Sequence, residues 1–68
     1  MTNTALLNEY IEKSGYKKGF LAKALGITSY SLSNKINNKS EFKGSEIDLM
    51  CKLLNINVNN RMRIFFAK

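Results

Sequence analysis

Histidine and proline are absent from this 68-residue chain, and cysteine occurs once, at Cys51. Each absence excludes something. Without histidine or a second cysteine, zinc lacks its usual ligands, and neither a Ser-His nor a Cys-His nucleophile can be built. A lone thiol cannot close an intramolecular disulfide, so disulfides do not hold this small fold together. No apolar run approaches the roughly 20 residues needed to cross a bilayer. No signal-peptide pattern opens the chain at Met1, and its expected home is the cytoplasm. Without proline, no helix is forced to break by its ring. There is also no repeat, no low-complexity tract and no linker. The length permits a single domain, residues 1–68, expected to be a whole gene product. So small a core implies modest stability, or stability shared with a partner subunit.

Acids are scarce, and their placement matters. Glu9, Glu12, Glu41, Glu46 and Asp48 are all of them, and none lies between Lys13 and Ser40. That stretch holds Lys13, Lys17, Lys18, Lys23, Lys35 and Lys39, while the remaining cations balance the five acids. The whole net charge of +6 therefore falls in one segment. A concentrated positive field attracts polyanions, and nucleic acid rewards it by releasing counterions. A solvated lysine face that only aids solubility carries the same signature. An enzyme is not expected. Glu9 and Glu12 share an exposed helix face with no pocket implied, and no metal or cofactor is called for.

What is present is helical spacing. Leu7, Tyr10, Ile11 and Ser14 form one stripe, predicting a helix from about Thr4 to Ser14, capped by Thr4 or Asn3 and stopped by Gly15. A second helix is predicted over Lys18–Leu25, with Leu21, Ala22 and Leu25 inward. Gly26 ends it, because glycine reaches positive φ without a Cβ penalty. Thr28 caps a third helix, Ser29–Asn37, whose Leu32 and Ile36 face inward. Asn37 and Asn38 suit its end, since asparagine tolerates the left-handed region. Ile47, Met50, Cys51 and Leu54 mark a fourth helix over Gly44–Leu54, with Glu46 and Asp48 at the positive end of its dipole. A last helix is expected over Val58–Ala67, capped by Asn57. The fold class is all-α, a compact five-helix domain. Leu7, Ile11, Leu21, Leu25, Leu32, Ile36, Ile47, Leu54 and Ile56 are its expected core, and Cys51 is expected as a small buried hydrophobe.

The informative segment runs from Leu21 to Ile36. Ala22 is small where two helices approach closely, and Gly26 makes the turn. Ile27 and Leu32 plug the angle between the helices, and Thr28 caps the following helix so that its N-terminal end points outward. Leu21-Ala22, Leu25-Gly26-Ile27-Thr28, Leu32-Ser33 and Ile36-Asn37 together resemble the central pattern of the phage Cro and cI-type helix-turn-helix repressors, the XRE family. Phe42 and the Ile47–Leu54 helix are similar to that family's next loop and fourth helix, so the resemblance covers nearly the whole chain. In size the chain is similar to Cro proteins. Two positions depart. The family often has an apolar residue where Lys35 stands, and the lysine stem is expected to cover that spot while its ammonium reaches solvent. The family often has glycine where Asn38 stands.

The resemblance implies a lambda-repressor-like fold with its helix-turn-helix at helices two and three. It also implies a cytoplasmic regulator of transcription in a bacterial host, of the phage lysis-lysogeny kind. Ser29, Tyr30 and Ser33 match base-facing positions, and Asn34 lies beside them. Lys18, Lys23, Thr28, Asn38 and Lys39 match phosphate-side positions, and Lys43 flanks the same loop. Each of these residues is also readable as exposed polar surface. Two copies on a pseudo-palindromic operator would place their third helices about one helical turn apart, roughly 34 Å.

The aromatic residues leave alternatives open. Phe20 either covers helix one or joins a protein-contact surface. Ile64, Phe65 and Phe66 are adjacent and cannot all face one way on a helix, so at least one turns inward and one is partly exposed. Phe65 and Phe66 are thus candidates for a dimer or partner contact, or else both rings close the small core. A rival reading is a protein-interaction module that binds a partner repressor, using Phe20, Tyr30 and the Phe65-Phe66 pair. An excisionase-like architectural protein would be a variant that bends DNA strongly.

Overall fold

Five helices carry the chain, and the boundaries of each have a cause in neighbouring residues. The computed structural model describes residues 1–68. The helices are α1 (Thr4–Ser14), α2 (Lys18–Leu25), α3 (Ser29–Ile36), α4 (Gly44–Leu54) and α5 (Val58–Phe65), with no strand. The α1 cap is Asn3, whose side chain accepts from the Leu6 N–H at 3.1 Å. Thr4 lies inside the helix, and its hydroxyl donates to the Ile36 carbonyl at 2.6 Å.

The α2–α3 connection is three residues long. Gly26 takes φ 74°, and its N–H reaches the Lys23 carbonyl at 3.1 Å. The Ile27 N–H reaches the Ala22 carbonyl at 3.0 Å. This Schellman closure satisfies two carbonyls that the end of α2 would otherwise leave bare. Thr28 then starts α3 at once, its Oγ1 accepting from the Ser31 N–H at 3.0 Å. Of all helix pairs, α2 and α3 pack together most extensively.

Two helices end earlier than their spacing predicts. α3 stops at Ile36 rather than Asn37 because Asn38 adopts φ 64° and repeats the closure seen at Gly26. The Asn38 N–H bonds the Lys35 carbonyl at 3.3 Å, and the Lys39 N–H bonds that of Asn34 at 2.8 Å. Asparagine thus does the work of the glycine common at this point. α5 stops at Phe65 rather than Ala67, because the two chain ends meet there. The Asn3 N–H bonds the Ile64 carbonyl at 2.6 Å, and the Ala67 N–H bonds that of Met1 at 2.9 Å.

All five helices contribute to one core. It comprises Leu7, Ile11, Leu21, Ala22, Leu32, Ile36, Ile47, Met50, Leu54, Ile56, Ile64 and Phe65. Leu25, Cys51 and Tyr10 pack against it but are only half-buried, so Cys51 is less enclosed than its stripe suggested. Burial raises the Cys51 thiol pKa, assisted by Asp48 and opposed by Arg61. The Tyr10 hydroxyl accepts from Asn60 Nδ2 at 2.6 Å, tying α1 to α5. No helix is long and apolar enough to cross a membrane.

Candidate nucleic-acid interface

Residues 29, 30, 33 and 34 stand at i, i+1, i+4 and i+5 on α3, so they share one face. Leu32 and Ile36 turn toward the core and are buried. Ser29 and Tyr30 are exposed, Tyr30 at 77%, and Ser33 and Asn34 are half-buried. The one side-chain hydrogen bond donated from α3 comes from Lys35, on another face. The four outer side chains are therefore free to meet an external partner. Gly19 brings the first turn of α2 beside the start of α3, where a Cβ would lie 3.9 Å from Ser29 Oγ. Lys17 and Lys18 immediately precede Gly19, so the backbone that carries them runs close to the start of α3.

Lys18, Lys23, Lys39 and Lys43 are all exposed. The two ion pairs of the fold, Lys35–Glu46 and Arg61–Asp48, involve none of them. Glu41 is the one acid in the loop between Lys39 and Lys43, and it too is exposed. Thr28 is exposed while its Oγ1 caps α3. A capping hydroxyl uses its oxygen as an acceptor and keeps its proton to donate, so the cap leaves Thr28 able to meet an anion.

Two expectations need correction, and two open alternatives are resolved. The Asn38 side chain, expected at a phosphate, is committed to Thr2. Its Oδ1 accepts from the Thr2 N–H at 2.7 Å, and its Nδ2 donates to the Thr2 carbonyl at 2.8 Å. The Lys35 ammonium does not reach solvent. Lys35 is buried, and Nζ meets Glu46 Oε1 at 2.5 Å. Phe65 offers no contact surface, being buried with its ring edge-on to Phe42 at 5.2 Å. Phe20 is not core. It is half exposed and stacks on Tyr16 with centroids 4.9 Å apart.

Glu46 has a larger role than its expected place at the helix dipole. Burial alone would raise its pKa, but the Lys35 hydrogen bond, the Lys43 N–H at 2.8 Å and the charges of both lysines prevail and hold it below the ordinary 4.5. Lys43, the α4 cap residue, has no side-chain acceptor, so Glu46 alone supplies the capping bond.

Spacing had drawn attention to the adjacent rings at the C-terminus and passed over a second stripe. Val58, Met62 and Phe66 follow at i, i+4 and i+8, and all three are at least half exposed. The asparagines and arginines between them hid the pattern. A hollow of about 140 Å³ lies between the N-terminal residues and the Phe42 and Phe65 rings, and none of the four outer residues of α3 lines it.

No curated protein and no solved structure matches the chain. Residues 3–68 match a family model described as "Protein of unknown function (DUF739)". That match spans nearly the whole sequence, so the chain belongs to the DUF739 family.

Proposed function

We propose that this protein binds double-stranded DNA with sequence preference and represses transcription, inserting the N-terminal part of α3 into the major groove. The observation that carries this reading is the outer face of α3. It presents Ser29, Tyr30, Ser33 and Asn34 without internal side-chain bonds, and Lys18, Lys23, Lys39 and Lys43, which precede and follow it in sequence, are exposed. An α-helix with its side chains fits the major groove. Asn34 is suited to an adenine edge, and the serines to weaker donor or acceptor contacts. The lysines would set register on phosphates. The resemblance of the Leu21–Ile36 segment to the helix-turn-helix repressor pattern supports the same reading.

Two copies would occupy a pseudo-palindromic site and block polymerase. Their contact would use the exposed Val58, Met62 and Phe66 stripe in place of the buried Phe65. The test is a mobility shift on DNA from the protein's own genetic neighbourhood, with excess nonspecific competitor, across a salt series. Complexes that survive competition, and are lost on Ser29→Ala with Ser33→Ala, support the reading. Weak, salt-sensitive and sequence-blind binding sinks it.

One observation favours a second reading. The Tyr16–Phe20 stack is exposed where the α1–α2 connection runs into α2, as a protein-interaction module acting on a partner repressor would require. Tight repressor binding combined with weak DNA affinity would select it.

A further inference from the structure

We propose that Glu46 is a positioning residue for the DNA contact. Through Lys35 and the Lys43 amide it fixes the loop from Asn37 to Lys43, with the cations that loop carries, relative to the outer face of α3. The inference rests on the DNA-binding reading above and deepens it.

One carboxylate oxygen joins three points of the chain. Glu46 Oε1, in the first turn of α4, accepts from Lys35 Nζ at 2.5 Å and from the Lys43 N–H at 2.8 Å. Lys35 belongs to the last turn of α3, and Lys43 is the residue before α4. The loop between them is also held at its start, where Asn38 grips Thr2. Lys39 and Lys43, both exposed, therefore stand on a loop fastened at each end.

Stability alone is a poor reason for this pair. Its side chains are only 11% and 8% exposed. Removing two charges from water is costly, and well-packed apolar residues in their place are often as stable or more so. Apolar contacts, however, are non-directional, whereas charge-assisted hydrogen bonds have defined geometry. Phosphate contacts set how a protein is registered on the duplex. A loop free to shift Lys39 and Lys43 would change which base edges meet Ser29, Tyr30, Ser33 and Asn34.

The test compares the wild-type chain with Lys35→Met plus Glu46→Leu, a double change that leaves net charge unaltered. The probes are the duplex that the wild type selects from a random-sequence pool and an unrelated duplex of equal length. Thermal unfolding and exchange of the Lys43 amide are followed without DNA. The expected result is near-wild-type unfolding, faster Lys43 exchange, about a tenfold loss of affinity for the selected duplex, and a smaller preference over the unrelated one. Lys35→Met plus Glu46→Gln keeps an acceptor for the Lys43 N–H but not the ion pair, and should recover about half of that loss on a logarithmic scale. If the leucine variant does not fold, the glutamine variant decides, with about a threefold loss supporting the proposal and wild-type affinity overturning it. Unchanged affinity, preference and Lys43 exchange in the folded leucine variant overturn the positioning role while leaving DNA binding intact. A wild type that selects no preferred duplex overturns the DNA-binding reading, and this proposal with it.

Discussion

The side-chain amide of Asn38 holds the main chain of Thr2 from both ends, at 2.7 Å to its N–H and 2.8 Å to its carbonyl. Because Thr2 lies beside the α5 end, where Asn3 bonds Ile64 and Met1 bonds Ala67, this clasp joins the α3–α4 loop to both chain termini. Asn38 also stands at φ 64°, where most side chains are strained.

Two substitutions separate these roles. Asn38→Gly keeps the backbone at ease but loses the clasp, and should cost about 1–2 kcal/mol. Asn38→Ala loses the clasp and adds left-handed strain, raising the cost to about 2–4 kcal/mol. Urea unfolding of both variants measures the difference. Equal losses would mean that the backbone conformation contributes nothing.

Acidification should act through Glu46. Its folded-state pKa is depressed below the ordinary 4.5 by Lys35 and the Lys43 N–H. A depressed carboxyl contributes stability that is present above its unfolded value and lost as pH falls through its folded value. The melting temperature should therefore fall below about pH 4.5, and the fall should be shallower in Lys35→Met with Glu46→Leu. Parallel melting curves against pH in the two proteins would show that other carboxyls govern acid unfolding.

Tyr30 and Thr28 should behave differently, although they are neighbours. Tyr30 is 77% exposed, so Tyr30→Ala should change stability by less than about 0.5 kcal/mol while weakening DNA binding. Thr28→Ala removes the α3 cap and should cost about 1 kcal/mol, whereas Thr28→Ser should keep most of it. Calorimetry alongside mobility shift reads both effects. Loss of fold in Tyr30→Ala would contradict its free-standing position.

The adjacent rings Phe65 and Phe66 should likewise part ways. Phe65→Ala opens the core beside Phe42 and should cost about 3–5 kcal/mol. Phe66→Ala and Met62→Lys should leave the fold intact and shift self-association toward monomer in sedimentation. A protein that stays associated in Met62→Lys does not pair through the Val58, Met62 and Phe66 stripe.

Much of the helical plan was legible along the chain because its causes are local. Gly15, Gly26, Thr28 and Asn57 stop or start helices within hydrogen-bond reach of their neighbours. The i, i+3, i+4 apolar spacing likewise marked most of the core, including Leu7, Ile11, Leu21, Leu32, Ile36, Ile47 and Leu54. The acid-free run of lysines and the polar face of α3 also follow from residue order and helical period.

What spacing could not supply are partnerships between distant residues. Asn38 meets Thr2 across 36 positions, and Asn60 meets Tyr10 across 50. Lys35 reads as a snorkelling surface lysine until α4 folds over it and supplies Glu46. Phe65 and Phe66 are equivalent apolar neighbours until the meeting of the two chain ends terminates α5, with one ring inward against Phe42 and the other half exposed. Local order determined which residues form each helix and which stripe is apolar, because caps, φ preferences and the 3.6-residue period act over a few residues. Only tertiary structure decided which polar groups pair and which rings stay outside, because those outcomes depend on what another segment brings within bonding distance.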